Sequence, residues 1–443
     1  MLGLYTKAVE IKGALSHDGK VVVLRGWIHR KRSSGGKLFA VIRDRTATIQ
    51  CVVDKAKVSE KEWDAIEKAY LESSVLLRGT VKKDERAPGG AEVTVTELRI
   101  VHSGEQFPIQ EYQSPEFLMD VRHLWLRSQK MIKAMQARSY IFRYARKFLD
   151  KKGFYEITPP LLTKAGGETG ANLFEVDYFG QRVYLTESSQ LYAEAMIGSL
   201  EKVYSFAPSY RAEKSRTTKH LAEYWHLEPE MAYFDNKRSM ALQERLVSYM
   251  ANSLAENNED ILKFFEVKKE DLLRIKPPFE RITYERALEI LNEKGVINPE
   301  TKQKKERFEW GADFGVEEER VLTEDKEKPI FVYNWPKEIK AFYMPVNRDG
   351  KTVACADMLA PKGHGEIIGG SERIWKLDEL LQRMKEVGLK TENYNWYIDL
   401  RKYGSVPHAG FGLGIERVIK WMLNLDHIRD AIPFPRLINR MEP

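Results

Sequence analysis

The chain has 443 residues, of which 43% are apolar and 31% charged, with a formal net charge of +6. That length exceeds one ordinary core and suggests two or three units, while the absence of any run of about 18 apolar residues argues against membrane anchoring. Only two cysteines occur, Cys51 and Cys355, without CxxC spacing, so neither a disulfide framework nor a thiolate zinc site is expected and a cytoplasmic location suits the chain. The amphipathic start, MLGLYTKAVEIKG, lacks the apolar stretch of a secretory signal and is expected to belong to the mature fold.

Residues 1–105 read as a small barrel. Segments 20–27, 38–43, 48–53, 74–81 and 92–102 are rich in Val, Ile, Leu and Thr, with turn glycines at Gly35-Gly36 and Gly89-Gly90 and a helical stretch at 60–72. Five short strands with one helix between the third and fourth suggest a Greek-key barrel of the OB type, a fold that binds single-stranded nucleic acid through aromatic and basic side chains. Seven basic residues between Arg25 and Arg45 face the single acid Asp44, which favours a polyanionic partner. Within or beside that cluster, Phe39 and Gln50 are either a base-stacking ring and an edge-reading amide or a core ring and an outward-facing strand residue, and Arg30 and Arg32 join them as candidate nucleic-acid contacts.

Residues 106–127, with Pro108 and Pro115, read as a linker or hinge. From Ser128, apolar Met131, Met135, Phe142, Ala145 and Leu149 recur at helical spacing until Gly153 stops the helix. Strands then alternate with charged helices up to residue 443, and a highly charged stretch at about 255–330 reads as an insertion. No P-loop pattern G-x-x-x-x-G-K-S/T is present, and the glycine run at 410–414 lies too near residue 443 to open a dinucleotide-binding unit.

Three segments nonetheless form a set: KGFYEITPPLL at 152–162, YRAE at 210–213 followed by HLAEY at 220–224, and GFGLGIER at 410–417. In this order they resemble motifs 1, 2 and 3 of the class II aminoacyl-tRNA synthetases. The N-terminal GWIHRKRSSGGKLFAVIRDRTATIQ resembles the anticodon-binding barrel of their aspartyl, asparaginyl and lysyl branch. The resemblance implies an α+β architecture: an OB-type β-barrel, then a class II catalytic domain at 128–443 built on an antiparallel sheet flanked by helices. It further implies a homodimer joined through motif 1, ATP as substrate, Mg2+ as cofactor, and tRNA rather than DNA as the nucleic-acid partner.

Adenylate formation needs phosphate charge neutralised and an in-line geometry, with no side-chain nucleophile. By resemblance Arg211 and Arg417 are catalytic, Arg211 on the α-phosphate and substrate carboxylate and Arg417 at the far end of the triphosphate. Glu213, Lys219, His220, Leu221, Tyr224, Gly414, Ile415 and Glu416 complete the ATP site, and Glu366 holds magnesium. Three departures from the family pattern are visible: Tyr224 stands where phenylalanine is usual, Lys219 where arginine is common, and Gly369 where relatives carry a serine oxygen near the metal.

Side-chain choice is implied by three short segments. QLYA at 190–193 lacks the lysine of aspartyl relatives at Ala193, LEPE at 227–230 puts the longer Glu228 where they have aspartate, and GEIIGGSERI at 365–374 supplies Arg373. Glu228 and Arg373 match the donor and acceptor of a carboxamide, so L-asparagine is the expected substrate, with Glu168 and Gln190 at its α-amino end. The expected activity is ATP-dependent charging of tRNA with asparagine. Three alternatives stand beside it: an aspartyl enzyme of relaxed specificity, a non-charging RNA-binding paralogue, and an ATP-dependent asparagine synthetase.

Overall fold

The computed structural model describes residues 7–110, 112–164, 173–213, 219–298, 301–305 and 307–443. Glu168 and residues 1–6 of the N-terminal segment therefore lie outside the described residues. The chain divides into two compact units, Met1–Met119 and Asp120–Pro443.

In the first unit, β1 (Val21–Ser34), β2 (Lys37–Arg43), β3 (Thr48–Asp54), β4 (Ser74–Lys83) and β5 (Ala91–His102) close a barrel in the order β1-β2-β3-β5-β4. Alternation builds it: Leu38, Ala40 and Ile42 of β2 and Ile49, Cys51 and Val53 of β3 are fully or almost fully buried, with their neighbours outside. Gly79 marks a corner where strands approach closely, since a Cβ there would collide with the Thr94 carbonyl. Helix α1 (Glu60–Lys68) opens on a capping box between Ser59 and Glu62. The Lys31 ammonium caps its other end, donating to the carbonyls of Ile66, Glu67 and Ala69.

In the second unit, α2 (Gln129–Lys151) starts at Ser128, whose hydroxyl accepts from the Met131 N–H. Its Met131, Ala134, Ala137, Ile141, Ala145, Phe148 and Leu149 face the core at helical spacing. The chain then lays down β6 (Tyr155–Glu156), α3 (Gln190–Leu200), β7 (Lys202–Tyr210), β8 (Glu223–Ala232), α4 (Asn236–Asn257), β9 (Glu280–Thr283), α5 (Val316–Thr323), β10 (Ile330–Tyr333), β11 (Cys355–Ala360), β12 (Gly365–Arg373), α6 (Asn395–Lys402), β13 (His408–Gly414) and α7 (Ile415–Met422). Eight strands form one sheet, β9-β10-β11-β12-β13-β8-β7-β6. Pairing is antiparallel from β10 to β7 and parallel only at the two edges, β9 with β10 and β6 with β7.

Residues 255–330 supply the edge strand β9 and helix α5, and Tyr284, Ala287, Leu291, Phe308, Phe314 and Val321 pack there into an apolar cluster together with Trp335. The stretch expected as a linker holds two short helices, Pro115–Asp120 and Arg122–Trp125. Arg122 is wholly buried and donates to the carbonyls of Pro433, Arg429 and Ile432 at 2.7–2.8 Å, so this part of the stretch is anchored rather than loose. Among the described residues no helix is long and apolar enough to cross a membrane.

Candidate functional site

The antiparallel pairing that sets β7, β8, β13 and β12 side by side also brings the three motifs together. Over them lies a cavity of about 560 Å³ whose walls include Gln190, Arg211, Glu228, Glu366, Arg373 and Arg417. A recess of about 60 Å³ shares Arg211, Lys219, His220, His226, Glu366 and Arg417 with it and is further bounded by Leu221, Tyr224 and Gly414. Residues assigned from sequence to two substrates thus line two communicating spaces.

The recess is built for an anion. Arg211 follows β7 directly and places its guanidinium 5.7 Å from the centre of the Tyr224 ring. Arg417, in the first turn of α7, donates to the backbone carbonyl and a carboxylate oxygen of Glu366, both at 3.1 Å. Shielding from water would raise the Glu366 carboxyl, but Arg417, Lys340 and Arg211 outweigh it and hold the group below its ordinary range. Lys219 is buried and lies 3.4 Å from Glu319 of α5; burial lowers its pKa, with Glu319 opposing. His220 is pushed down by burial and then by Arg417. Glu213 is exposed at the cavity wall, and Leu221 is buried against Ile428 and Ile432.

Two side chains named for the ATP site also have structural partners, although Glu416 still borders the recess. Ile415 is fully buried in the main core, because the amphipathic α7 turns Ile415, Val418, Ile419 and Met422 inward. Glu416 uses one oxygen on the Arg138 guanidinium of α2 at 2.6 Å and the other on the Trp225 N–H at 3.0 Å, pinning α2 and β8 to α7. Glu416→Ala is therefore expected to cost about 3–5 kcal/mol of stability, the scale for breaking a buried ion pair. Denaturant unfolding checks this, and unchanged stability with weakened ATP binding would return Glu416 to the nucleotide site.

The metal question turns on Gly369. Its register partner across the β11–β12 pair is Asp357. A Cβ built on Gly369 would lie 3.3 Å from a Glu366 oxygen and 3.6 Å from an Asp357 oxygen. Two hard carboxylate oxygens thus flank the spot where a serine oxygen is missing, and they suit magnesium. Burial and the nearby Glu366 raise the Asp357 carboxyl to about 6 against the pull of Lys340, which holds it at 2.6 Å. Asp357, Lys340 and Glu319 were not identified from the sequence. The one signal for Asp357 is a lone acid inside the otherwise apolar run CADMLA.

At the other end of the cavity, Arg373 and Glu228 are both buried, but they do not share partners. Arg373 clasps Glu230 with two nitrogens at 3.1 Å and donates to the Ser371 hydroxyl at 2.6 Å. Two of its five N–H groups are left for a ligand. Gly410 makes room for this pair, since a Cβ there would strike the Glu230 carboxylate. Glu228 accepts from the Ser189 N–H at 2.8 Å, from the Ser189 hydroxyl at 2.5 Å and from the Ser188 hydroxyl. These dipoles meet its charge, with His226 Nδ1 3.3 Å from the oxygen that Ser188 contacts, and that oxygen keeps acceptor capacity. Gln190 donates its amide to Glu194 at 2.9 Å, while Ala193 is fully buried against Ile197, Val203 and Ala232.

On the barrel, Arg30 and Arg32 of β1 register with Val41 and Phe39 of β2, and Val41 with Gln50 of β3. These side chains share the outer face. Phe39 is half-buried beneath the Arg32 guanidinium, 5.0 Å from the ring centre, and Gln50 donates to Glu92 at 3.1 Å. Among the seven basic residues between Arg25 and Arg45, Lys31 is held on the helix end, Arg43 in a buried pair with Glu72 at 2.6 Å and Arg45 on Glu10.

Two family descriptions match the chain: tRNA synthetases class II (D, K and N) over residues 114–438 and OB-fold nucleic acid binding domain over residues 22–101. An asparagine–tRNA ligase of Thermoplasma acidophilum is 47% identical over 429 residues, covering 97% of this chain and 98% of the relative. One from Thermococcus kodakarensis is 49% identical over 430 residues, 96% and 97% of the two chains. The crystal structure of asparaginyl-tRNA synthetase from Pyrococcus horikoshii complexed with asparaginyl-adenylate superposes with a TM-score of 0.93 at 46% identity, covering 98% of this chain and 99% of that one.

Proposed function

Because the chain belongs to the class II tRNA synthetases of the D, K and N group, we propose that the cavity and its recess divide one reaction between an asparagine site and an ATP site. The protein ligates L-asparagine to tRNA through asparaginyl-adenylate, with ATP as substrate. The observation that carries the assignment of residues is the joining of Arg211, Arg417 and Glu366 with Arg373, Glu228 and Gln190 around one continuous space.

Two steps share that space. The asparagine carboxylate attacks the α-phosphorus of ATP and pyrophosphate leaves; a ribose 3'-hydroxyl at the tRNA terminus then attacks the acyl carbon and AMP leaves. Arg211 bridges the two reactants and takes up charge on the α-phosphate, while Arg417 and Lys219 meet the outgoing phosphates and Tyr224 stacks on adenine. Glu366 and Asp357 would hold magnesium, which supplies charge neutralisation on the triphosphate. The remaining acceptor capacity of Glu228 meets the amide NH2 and the spare Arg373 donors its carbonyl, with Gln190 at the α-ammonium group. Asparagine-dependent ATP–pyrophosphate exchange, followed by charging of tRNA with aspartate as control, tests the scheme; exchange driven by aspartate alone would overturn it.

The barrel face is read as the anticodon site. Phe39→Ala is expected to weaken tRNA charging by roughly 1–3 kcal/mol, the worth of one stacked base, while leaving pyrophosphate exchange unchanged; equal loss in both assays would make Phe39 a structural residue. A homodimer across α2 is supported by a groove of about 660 Å³ along that helix, lined by Met135, Arg138, Phe142, Arg146, Trp225 and Phe434. Sedimentation should give the dimer mass, and a fully active monomer would refute it. Both cysteines are free and buried, which accords with the cytoplasm as the place of action.

A further inference from the structure

We propose that Glu194 is a positioning residue for asparagine recognition, turning the Gln190 amide so that its carbonyl oxygen, not its NH2, faces the substrate α-ammonium group. The inference rests on the reading above that Gln190 lines the asparagine site.

Glu194 has no solvent exposure at its side chain. Its oxygens collect four donors from three elements: the Gln190 amide at 2.9 Å one turn earlier in α3, the Tyr397 hydroxyl at 2.8 Å, the Arg401 guanidinium, and a His408 ring nitrogen at 3.0 Å. Burial alone would raise its carboxyl, but Arg401 and His408 keep it ionised, well below the ordinary range. An ionised carboxylate only accepts hydrogen bonds. Gln190 must therefore spend its NH2 on Glu194, and its Oε1 is left for the cavity whose wall it forms. Among the described residues none donates to that oxygen.

A glutamine alone would not guarantee this. Its two ends are nearly isosteric, and a flipped amide would point N–H groups at an ammonium group, which carries only donors. The i, i+4 spacing of Gln190 and Glu194 on α3 fixes the pair on one helix face. Tyr397 and Arg401 are likewise four apart on α6, with the Arg401 guanidinium also 2.8 Å from the Tyr397 hydroxyl. The carboxylate is thus held from both helices before substrate arrives.

The test is steady-state exchange kinetics on the full-length protein with four variants: Gln190→Met, Gln190→Glu, Glu194→Gln, and Glu194→Gln combined with Gln190→Glu. Gln190→Met should raise the asparagine KM about tenfold or more, the loss of one hydrogen bond to a charged group, with the ATP KM unchanged; no change would sink the reading of Gln190 itself. Gln190→Glu should be worse than Gln190→Met, because two carboxylates would then face each other across a hydrogen-bond distance. Were Glu194 irrelevant, the same variant would offer the ammonium a better acceptor and bind asparagine as well as wild type, and the proposal would fall while the Gln190 reading stood. Glu194→Gln should raise the asparagine KM with little change in kcat, and the exchanged pair should recover most of the loss, since an amide at 194 donates to a carboxylate at 190. Parallel loss of asparagine and ATP binding in Glu194→Gln, without recovery in the exchanged pair, would show a merely structural role. Should Glu194→Gln not fold, the order of the two single Gln190 variants decides.

Discussion

Arg211→Ala and Arg417→Ala are each expected to slow asparagine-dependent pyrophosphate exchange by about 10²–10³, which is about 2.7–4 kcal/mol of transition-state stabilisation for one lost donor. The two losses differ in kind. Both arginines line the recess and the main cavity, but Arg211 is the one proposed to bridge the two substrates, so its removal should depress kcat and raise the KM for asparagine and ATP together. Arg417 is tied to Glu366 through two 3.1 Å contacts, and its loss removes the cation that does most to hold the Glu366 carboxyl below its ordinary range. Its variant should therefore also demand more magnesium at half-maximal rate. Both proteins should unfold within a few degrees of wild type, since both arginines are only half-buried. Near-normal exchange in either variant would refute its assignment.

Wild-type protein is expected to prefer asparagine over aspartate by about 10⁴–10⁵ in kcat/KM, the discrimination open to a site that hydrogen-bonds one polar group and leaves buried groups unpaired with the wrong one. Aspartate is the same size but brings a second negative charge and only acceptors. It would meet Glu228, which accepts from Ser188 and Ser189 and has the His226 ring 3.3 Å away, while Arg373 is already clasped by Glu230. Repulsion is the basis of rejection. Glu228→Gln should therefore cut the preference at least about tenfold, chiefly through aspartate, because removing a like charge of this kind is worth at least one pKa unit. The ratio of exchange rates with the two amino acids measures it. A wild-type ratio near unity, or a Glu228→Gln variant with the preference intact, would remove Glu228 from the selectivity device. Ala193 is a poor place to build the opposite specificity, since a lysine there would begin in a fully buried apolar cluster.

Much of this was visible in the residues themselves. The barrel strands could be read from their alternation, yet β1 runs on to Ser34, beyond the expected end at residue 27, because basic outer residues conceal the continuing pattern. The expected helix at 60–72 stops at Lys68. The residues proposed for ATP and asparagine could be picked out as motifs, whereas Glu194, Asp357 and Glu319 could not. Their meaning lies in partners far along the chain: Glu194 meets residues 203 and 207 positions away, and Glu319 meets Lys219 across 100. The strand period explains the other blind spot. Glu228 and Glu230 are two apart on β8 and so point the same way, and sequence alone could not say which of them Arg373 clasps.

Arg122 carries a consequence for how the protein is made. Its three carbonyl acceptors lie 307 to 311 positions later in the chain, so a nascent chain that has passed Arg122 holds a guanidinium destined for the interior with nothing yet to receive it. The barrel strands, all within residues 21–102, can close during synthesis, as leading domains do. The second unit must wait for residues 429–433, and until β13 (His408–Gly414) is made its sheet lacks the strand that joins β12 to β8, so this unit is the part that needs protection from its neighbours on the polysome.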